Sequence, residues 1–339
     1  MTSPSSRHRN GFGGLIARLA IIALVGFGGS WLAAAQVGAR QTDDAPLKVV
    51  ATFSILGDWV QQVGRDRVEL FTIVGAGGDA HTFDPSPEQV AQIADADIIF
   101  EIGSDFEPWL NDIVASSGSS ATRAVLTDGL DLIPLSGEEA HSEDAEQAQA
   151  SPETGEAHDH GPVDPHIWHD VSNATASVER IRDELSAAEP TSATAFAANA
   201  GPYLQELHGL DGEIRQQVGQ LPEDRRKLVT SHDTFAYFAR AYGFEIIGTA
   251  LGSVSTEAGD PSARQFIELV EQIQATGVPA IFAENVSNPD LMQSIADEAG
   301  VTLAPSLYTD ALGPPDSTAA TYIALIRTNT ATIVTALAG

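Results

Sequence analysis

The 339-residue sequence contains no cysteine. That excludes a structural disulfide and a thiolate metal site, and it leaves no residue to carry a lipid at a processed N-terminus. Basic residues are scarce as well: 17 Lys and Arg stand against 47 Asp and Glu, for a net charge of −30. Nucleic acid is excluded as a partner, because affinity for it comes from Lys and Arg neutralising phosphates, and anionic membrane surfaces are disfavoured by the same sign. Cations are attracted, although an excess of acid also keeps an exported protein in solution. Two catalytic signatures are missing, the His-Glu-x-x-His helix and the Gly-x-Ser-x-Gly elbow. Beyond the N-terminus no apolar run is long enough to span a bilayer.

The N-terminus is unlike the rest. Arg7 and Arg9 precede an apolar run at residues 19–27, and small residues follow at Ala33, Ala34 and Ala35 and again at Gly38 and Ala39. This order predicts a secretory signal peptide over residues 1–39, cleaved after Ala35 or Ala39, with a retained anchor as the alternative. The strongly apolar part is short for a spanning helix, which favours cleavage. The mature protein is then expected in a periplasmic or other extracytoplasmic space.

From residue 46 onward, strands and helices alternate, which predicts an α/β fold with parallel sheets. Strands are expected at 47–53, 68–74, 97–102 and 122–126. Helices are expected at 54–63, from Ser86-Pro87 onward, at 106–115 and at 173–188. Residues 138–160 break the pattern with many acids and little to bury, and read as a surface loop. Its His141, His158 and His160 are either a weak metal-collecting arm or incidental. Residues 191–220 read as a long helix bent or interrupted at Gly201-Pro202, stiff enough to connect two lobes. The second half repeats the alternation, with strands at 227–230, 244–249, 280–283 and 301–304. Helices fall at 234–242, at 262–276 behind an Asp260 cap and Pro261, from Asn288-Pro289, and at 317–337. The predicted organisation is one lobe over residues 46–190, a linker helix over 191–220 and a second lobe over 221–339, with no residue-level repeat between the halves.

Four side chains stand out. His81 lies in Gly78-Asp79-Ala80-His81, His166 in Asp164-Pro165-His166-Ile167-Trp168, His232 in Ser231-His232-Asp233 and Asp310 in Tyr308-Thr309-Asp310. Three imidazoles and one carboxylate make a complete shell for a divalent transition metal. They are far apart in sequence, so only folding gathers them. His81, His232 and Asp310 each follow a predicted strand, and in open α/β sheets ligands gather beyond the carboxyl ends of the strands. The first two His would come from one lobe, His232 and Asp310 from the other.

Taken with Phe106-Glu107-Pro108-Trp109-Leu110, Ser231-His232-Asp233-Thr234-Phe235 and Ala283-Glu284, these motifs resemble the zinc/manganese substrate-binding proteins of bacterial ABC importers, the cluster that includes metal-binding lipoprotein adhesins. The resemblance spans the chain from about Lys48 to its end. It implies two α/β lobes, each with a mostly parallel sheet flanked by helices, joined by a long rigid linker helix. It also implies metal ligands at His81, His166, His232 and Asp310, a membrane permease as partner, and a monomer without catalytic activity. Zn2+ is the expected ion, because a third imidazole at His232 suits it better than the harder Mn2+, which is the alternative. His169 departs from the apolar residue usual after the Trp and reads as a neighbour of the site. A secreted zinc hydrolase using Glu284 or Asp233, and an adhesin with a structural metal, are the rival functions.

Overall fold

The computed structural model describes residues 45–135 and 163–339. The expected signal segment and the acidic loop with His141, His158 and His160 lie outside these described residues. Two runs rich in β-branched and aromatic residues, Leu47–Phe53 (β1) and Val68–Val74 (β2), pair in parallel. Ile98–Glu101 (β3) joins the other side of β1, and Thr122–Val125 (β4) joins β3, giving a four-stranded parallel sheet in the order β2-β1-β3-β4. Parallel neighbours require crossovers, supplied by Ser54–Gly64 (α1), Pro87–Asp95 (α2) and Leu110–Ser117 (α3).

Val171–Ala188 (α4) and Ala193–Val218 (α5) follow, separated by a single 3-10 turn at Pro190–Ser192. The linker helix buries Phe196, Ala200, Tyr203, Leu207, Leu210, Ile214 and Val218. Their spacing of three and four places them on one stripe, which packs on α1, α4 and the last helix, Tyr322–Ala338 (α9). Gly201-Pro202 does not interrupt it, against expectation. Pro202 is exposed, and so is Ala198, whose carbonyl loses its intrahelical donor but stays open to solvent.

In the second lobe Lys227–Thr230 (β5) pairs with Glu245–Thr249 (β6) and Ala280–Glu284 (β7) pairs with Thr302–Leu307 (β8), all parallel. The crossovers are Ala236–Tyr242 (α6), Ala263–Thr276 (α7) and Pro289–Ala299 (α8). β5 lies beside β7, but the lobe holds two two-stranded ladders rather than one continuous sheet. The backbone N–H groups just past β5, those of Ser231 and His232, donate to the Glu284 carboxylate instead of to a strand. One apolar core runs through both lobes, from Val50, Trp59 and Phe100 through Phe196 and Leu207 to Phe282, Tyr322 and Ile326. A smaller cluster of Val229, Ile273, Ile281 and Ile295 fills the far side of the second lobe.

Three boundaries differ from expectation for identifiable reasons. Residues 106–109 form turns rather than the start of α3, because the buried Glu107 carboxylate is tied to Thr52 Oγ1 at 2.6 Å, Ile102 N at 3.0 Å and Gly103 N at 3.2 Å. α7 is capped by Ser262, not Asp260, because Ser262 and Gln265 form a reciprocal capping box. α9 starts at Tyr322 behind the Thr321 cap, five residues later than 317.

The exposed proline within α5 gives a direct test. Pro202→Ala restores one helical hydrogen bond and is expected to stabilise the protein by about 1–2 kcal/mol, less the gain in unfolded-state entropy. An upward shift of the guanidinium midpoint is the expected reading; a downward shift means the ring contributes packing that its exposure does not suggest.

Candidate metal centre

The four residues singled out above come together. One donor atom from each of His81, His166, His232 and Asp310 lies within 4.8 Å of all the others. His81 follows β2, His232 and Asp310 lie two and three residues past the ends of β5 and β8, and His166 opens a 3-10 turn at Ile167–His169. His81 Nε2 is 3.3 Å from His166 Nε2 and 3.5 Å from Asp310 Oδ2, and His232 Nε2 is 3.0 Å from Asp310 Oδ2. A tetrahedral ion with bonds near 2.0 Å places its donors about 3.3 Å apart, so the spacing suits one small cation. Although His232 Nε2 and Asp310 Oδ2 are close, they are misaligned for a hydrogen bond and neither has any other partner among the described residues. Both belong to the group of four donors that lie within 4.8 Å of one another.

Each ring is held by its surroundings. Asp164 Oδ1 accepts from His166 Nδ1 at 2.7 Å and from His166 N at 2.9 Å. Glu284 Oε2 takes His232 Nδ1, while Oε1 accepts from Ser231 N and His232 N at 2.8 and 3.0 Å. On a neutral ring a carboxylate at Nδ1 fixes the tautomer and leaves the Nε2 lone pair facing the centre. The loop of His81 is fixed by Asp79 Oδ1, which accepts from His81 N at 2.9 Å, and by Trp109 Nε1, which donates to Ala80 O at 2.7 Å. Aromatic rings close the surroundings: Phe106 meets His81 edge-on at 4.7 Å, Trp168 lies 5.2 Å from His166, and Phe53 packs on both Phe106 and Trp168. Trp168 Nε1 donates to Thr309 O at 2.9 Å, tying the His166 turn to the segment of Asp310.

The charge state follows from this packing. Burial pushes the His166 imidazole well below its ordinary value, so it stays neutral. Burial acts the same way on His232, but the facing Glu284 and Asp310 carboxylates outweigh it and hold that ring well above its ordinary value. Burial pushes Asp310 up, and the opposing charge of His232 more than reverses the effect, leaving the carboxyl ionised. Asp164 is raised to about 7, chiefly by burial.

Sequence reasoning placed the four central groups but gave no role to Asp164, and to Glu284 only one in the rival hydrolase reading. Their signals were present: Asp164 stands two residues before His166, and Glu284 ends a strand adjacent to the one leading to His232. His169 is buried with both ring nitrogens unpartnered among the described residues, and burial pushes it down to about 3. Its ring lies against Phe235 at 4.5 Å, so it packs as a neutral aromatic and bonds to none of the four.

The family described as zinc-uptake complex component A, periplasmic, matches residues 49–336. The manganese-binding lipoprotein MntA of Halalkalibacterium halodurans is 34% identical over 310 residues, covering 90% of this chain and 95% of that protein. The manganese ABC transporter substrate-binding lipoprotein PsaA of Streptococcus pneumoniae is 27% identical, covering 88% of this chain and 91% of that protein. Among solved structures, the periplasmic zinc-binding protein TroA of Treponema pallidum aligns with a TM-score of 0.73 at 30% identity, covering 86% of this chain and 99% of that chain. MntA and PsaA are named as lipoproteins, whereas this sequence has no cysteine.

Glu284→Gln tests the orienting bond. The amide oxygen can keep the two backbone donors, but its NH2 group facing Nδ1 favours the tautomer with the proton on Nε2. Affinity for Zn2+ or Mn2+ in a competition titration is expected to fall about 10–100-fold with the fold intact by circular dichroism. Unchanged affinity would remove Glu284 from the working parts of the centre.

Proposed function

This chain belongs to the periplasmic zinc-uptake component A family of metal-binding proteins, and from that premise we propose that it captures a divalent transition metal at His81, His166, His232 and Asp310 and hands it to the membrane permease of an ABC importer. The observation that carries the reading is the convergence of these donor atoms within 4.8 Å, from loops of both lobes. The protein is a binding component and not an enzyme, which removes the hydrolase reading. The arrangement agrees with that: a filled shell of protein ligands keeps no position open for an activated water. An extracytoplasmic site of action follows from the family, and lobes over residues 46–190 and 221–339 joined by a linker over 191–220 are part of the proposal, supported by the ends of α4 and α5.

Zinc is the ion the donor set favours, because three neutral imidazoles and one carboxylate are a borderline-soft, nitrogen-rich shell. Manganese is the second reading, favoured by the names of MntA and PsaA. Capture requires the ion to be stripped of water, since the four side chains are 0% to 3% exposed. Release requires the loops from the two lobes to part.

Elemental analysis of protein recovered from its native compartment is expected to find about one equivalent of metal, and a direct competition of Zn2+ against Mn2+ is expected to favour zinc. Preference for manganese would leave the capture function standing and overturn the choice of ion. His232→Ala is expected to lower affinity by at least about a hundredfold; retention of wild-type affinity would sink the proposed ligand set. The protonated His232 of the metal-free centre must lose its proton for Nε2 to bind, so affinity is expected to fall as pH drops, about tenfold per pH unit for each proton displaced. A binding isotherm that does not move between neutral and mildly acid pH would argue against imidazole ligands.

A further inference from the structure

The three imidazoles of the centre are not held alike. His166 and His232 each turn Nδ1 toward a buried carboxylate, of Asp164 and of Glu284. His81 has no such partner: among the described residues its ring makes polar contact only with His166 and Asp310, both through Nε2. The backbone around it is well tied. Asp79 accepts from His81 N, Trp109 donates to Ala80 O, and Gly77 N donates to Leu312 O at 2.9 Å. None of these bonds fixes how the imidazole turns about its own side-chain torsions. A metal-binding His almost always has an orienting partner on its second nitrogen. Lacking one, this ring is oriented by what packs against it.

Phe106 is that neighbour. It is fully buried and meets His81 edge-on, with the ring planes 77° apart and 4.7 Å between centroids. It reaches His166 at 6.0 Å as well, and Phe53 and Trp168 each stand 4.9 Å from it. Against a wall packed this closely a ring has few rotamers open to it. The wall itself stands on an unusual turn. Gly103, Ser104 and Asp105, the three residues before Phe106, have φ of 80°, 53° and 59°. Residues other than glycine enter this left-handed region seldom, and then singly. At Gly103 a Cβ would come 2.5 Å from Val125 Cγ1. Such backbone persists only where its surroundings over-determine it.

Glu107 supplies that determination. Its Oε1 accepts from Ile102 N and Thr52 Oγ1, and its Oε2 accepts from Gly103 N. The side chain therefore closes a loop. Its carboxylate grips the chain where the turn begins, and its own backbone carries the chain out directly after Phe106. Glu107 is 5% exposed, and among the described residues no Lys or Arg bonds to it; Arg123 Nε donates instead to Glu101 Oε1 at 2.7 Å. Burying a carboxylate without a cationic partner is costly. Here its acceptor capacity goes to the two amides and the hydroxyl that set the turn.

We propose that Glu107 is the positioning residue for His81: it sets the left-handed turn that presses Phe106 against the imidazole, and Phe106 does for this ring what a carboxylate does for the other two. The inference rests on the metal-capture reading above. Glu107→Gln tests it, because each carboxylate oxygen accepts a backbone N–H and an amide must face one of them with its own N–H. Measurement at about pH 8 keeps the wild-type carboxyl, which burial raises to about 7, mostly ionised. Competition titrations of the full chain are expected to show affinity for Zn2+ and Mn2+ lowered at least about fivefold in Glu107→Gln and in Phe106→Leu, and no more than about twofold further in the double variant. In the metal-free chain the NMR signal of the His81 Cε1–H is expected to broaden or double in each variant, while those of His166 and His232 stay single and narrow. Unaltered affinity in either single variant, losses that multiply in the double, or broadening shared equally by the three rings overturns the proposal. Thr52→Val removes one donor of three and keeps the test decisive if Glu107→Gln fails to fold: broadening of His81 alone is expected, and a single narrow signal overturns the proposal. A wild-type chain that binds neither ion sinks the capture reading itself, whereas normal wild-type binding with unaltered variants sinks only this inference.

Discussion

Asp164, Glu284 and Asp310 are 1%, 2% and 0% exposed, and among the described residues no Lys or Arg hydrogen-bonds to any of them. Carboxylates removed from water without cationic partners are expensive to bury. Glu284, and Asp164 through Oδ1 alone, accept from backbone N–H groups and from an imidazole N–H, while Asp164 Oδ2 has no partner among the described residues; among those residues Asp310 faces ring nitrogens and the Thr234 hydroxyl. The facing Glu284 and Asp310 carboxylates hold the His232 imidazole well above its ordinary value, so a proton on that ring would supply part of the missing positive charge. A divalent cation supplies it more fully, and so the interior is balanced when the proposed site is filled. The expected pH response derives from that imbalance.

The scaffold makes such a centre possible by letting both lobes share one core. α5 presents a single apolar stripe to α1, α4 and α9, and Tyr322 of α9 packs edge-on against Trp59 of α1 at 5.1 Å. Several bonds then cross near the centre: Leu312 N donates to Ser54 Oγ at 2.9 Å, Tyr237 OH to Asp164 O at 2.8 Å and Tyr322 OH to Trp168 O at 2.8 Å. Loops from separate strands are thereby tied to one another, as a small ion demands. Movement is left to the segments outside this girdle.

Much of this was readable in the sequence. The first two strands, the Ser86 and Asn288 caps and the four central side chains are governed by local chemistry, whether β-branched runs, Ser or Asn before Pro, or a polar residue shortly after a strand. What was missed depends on contacts distant in the chain. The true start of α3 is set by Glu107 reaching Thr52. The split of the second sheet and the role of Glu284 arise because that side chain serves the backbone of Ser231 and His232, about fifty residues away. Pro202 misled for a different reason: the helix-breaking rule is intrinsic, whereas the exposure that leaves the carbonyl open to solvent is tertiary.

The aromatic packing around the centre has one more effect. Phe53, Phe106 and Trp168 present hydrocarbon where other metal sites present carbonyls and water. Magnesium sheds its hydration reluctantly and calcium requires six to eight oxygens. Neither recovers that loss from ring nitrogens and one carboxylate. Ions forming strong bonds to nitrogen do. A site built on the proposed donors would thus turn away the abundant alkaline earths by thermodynamics rather than by size.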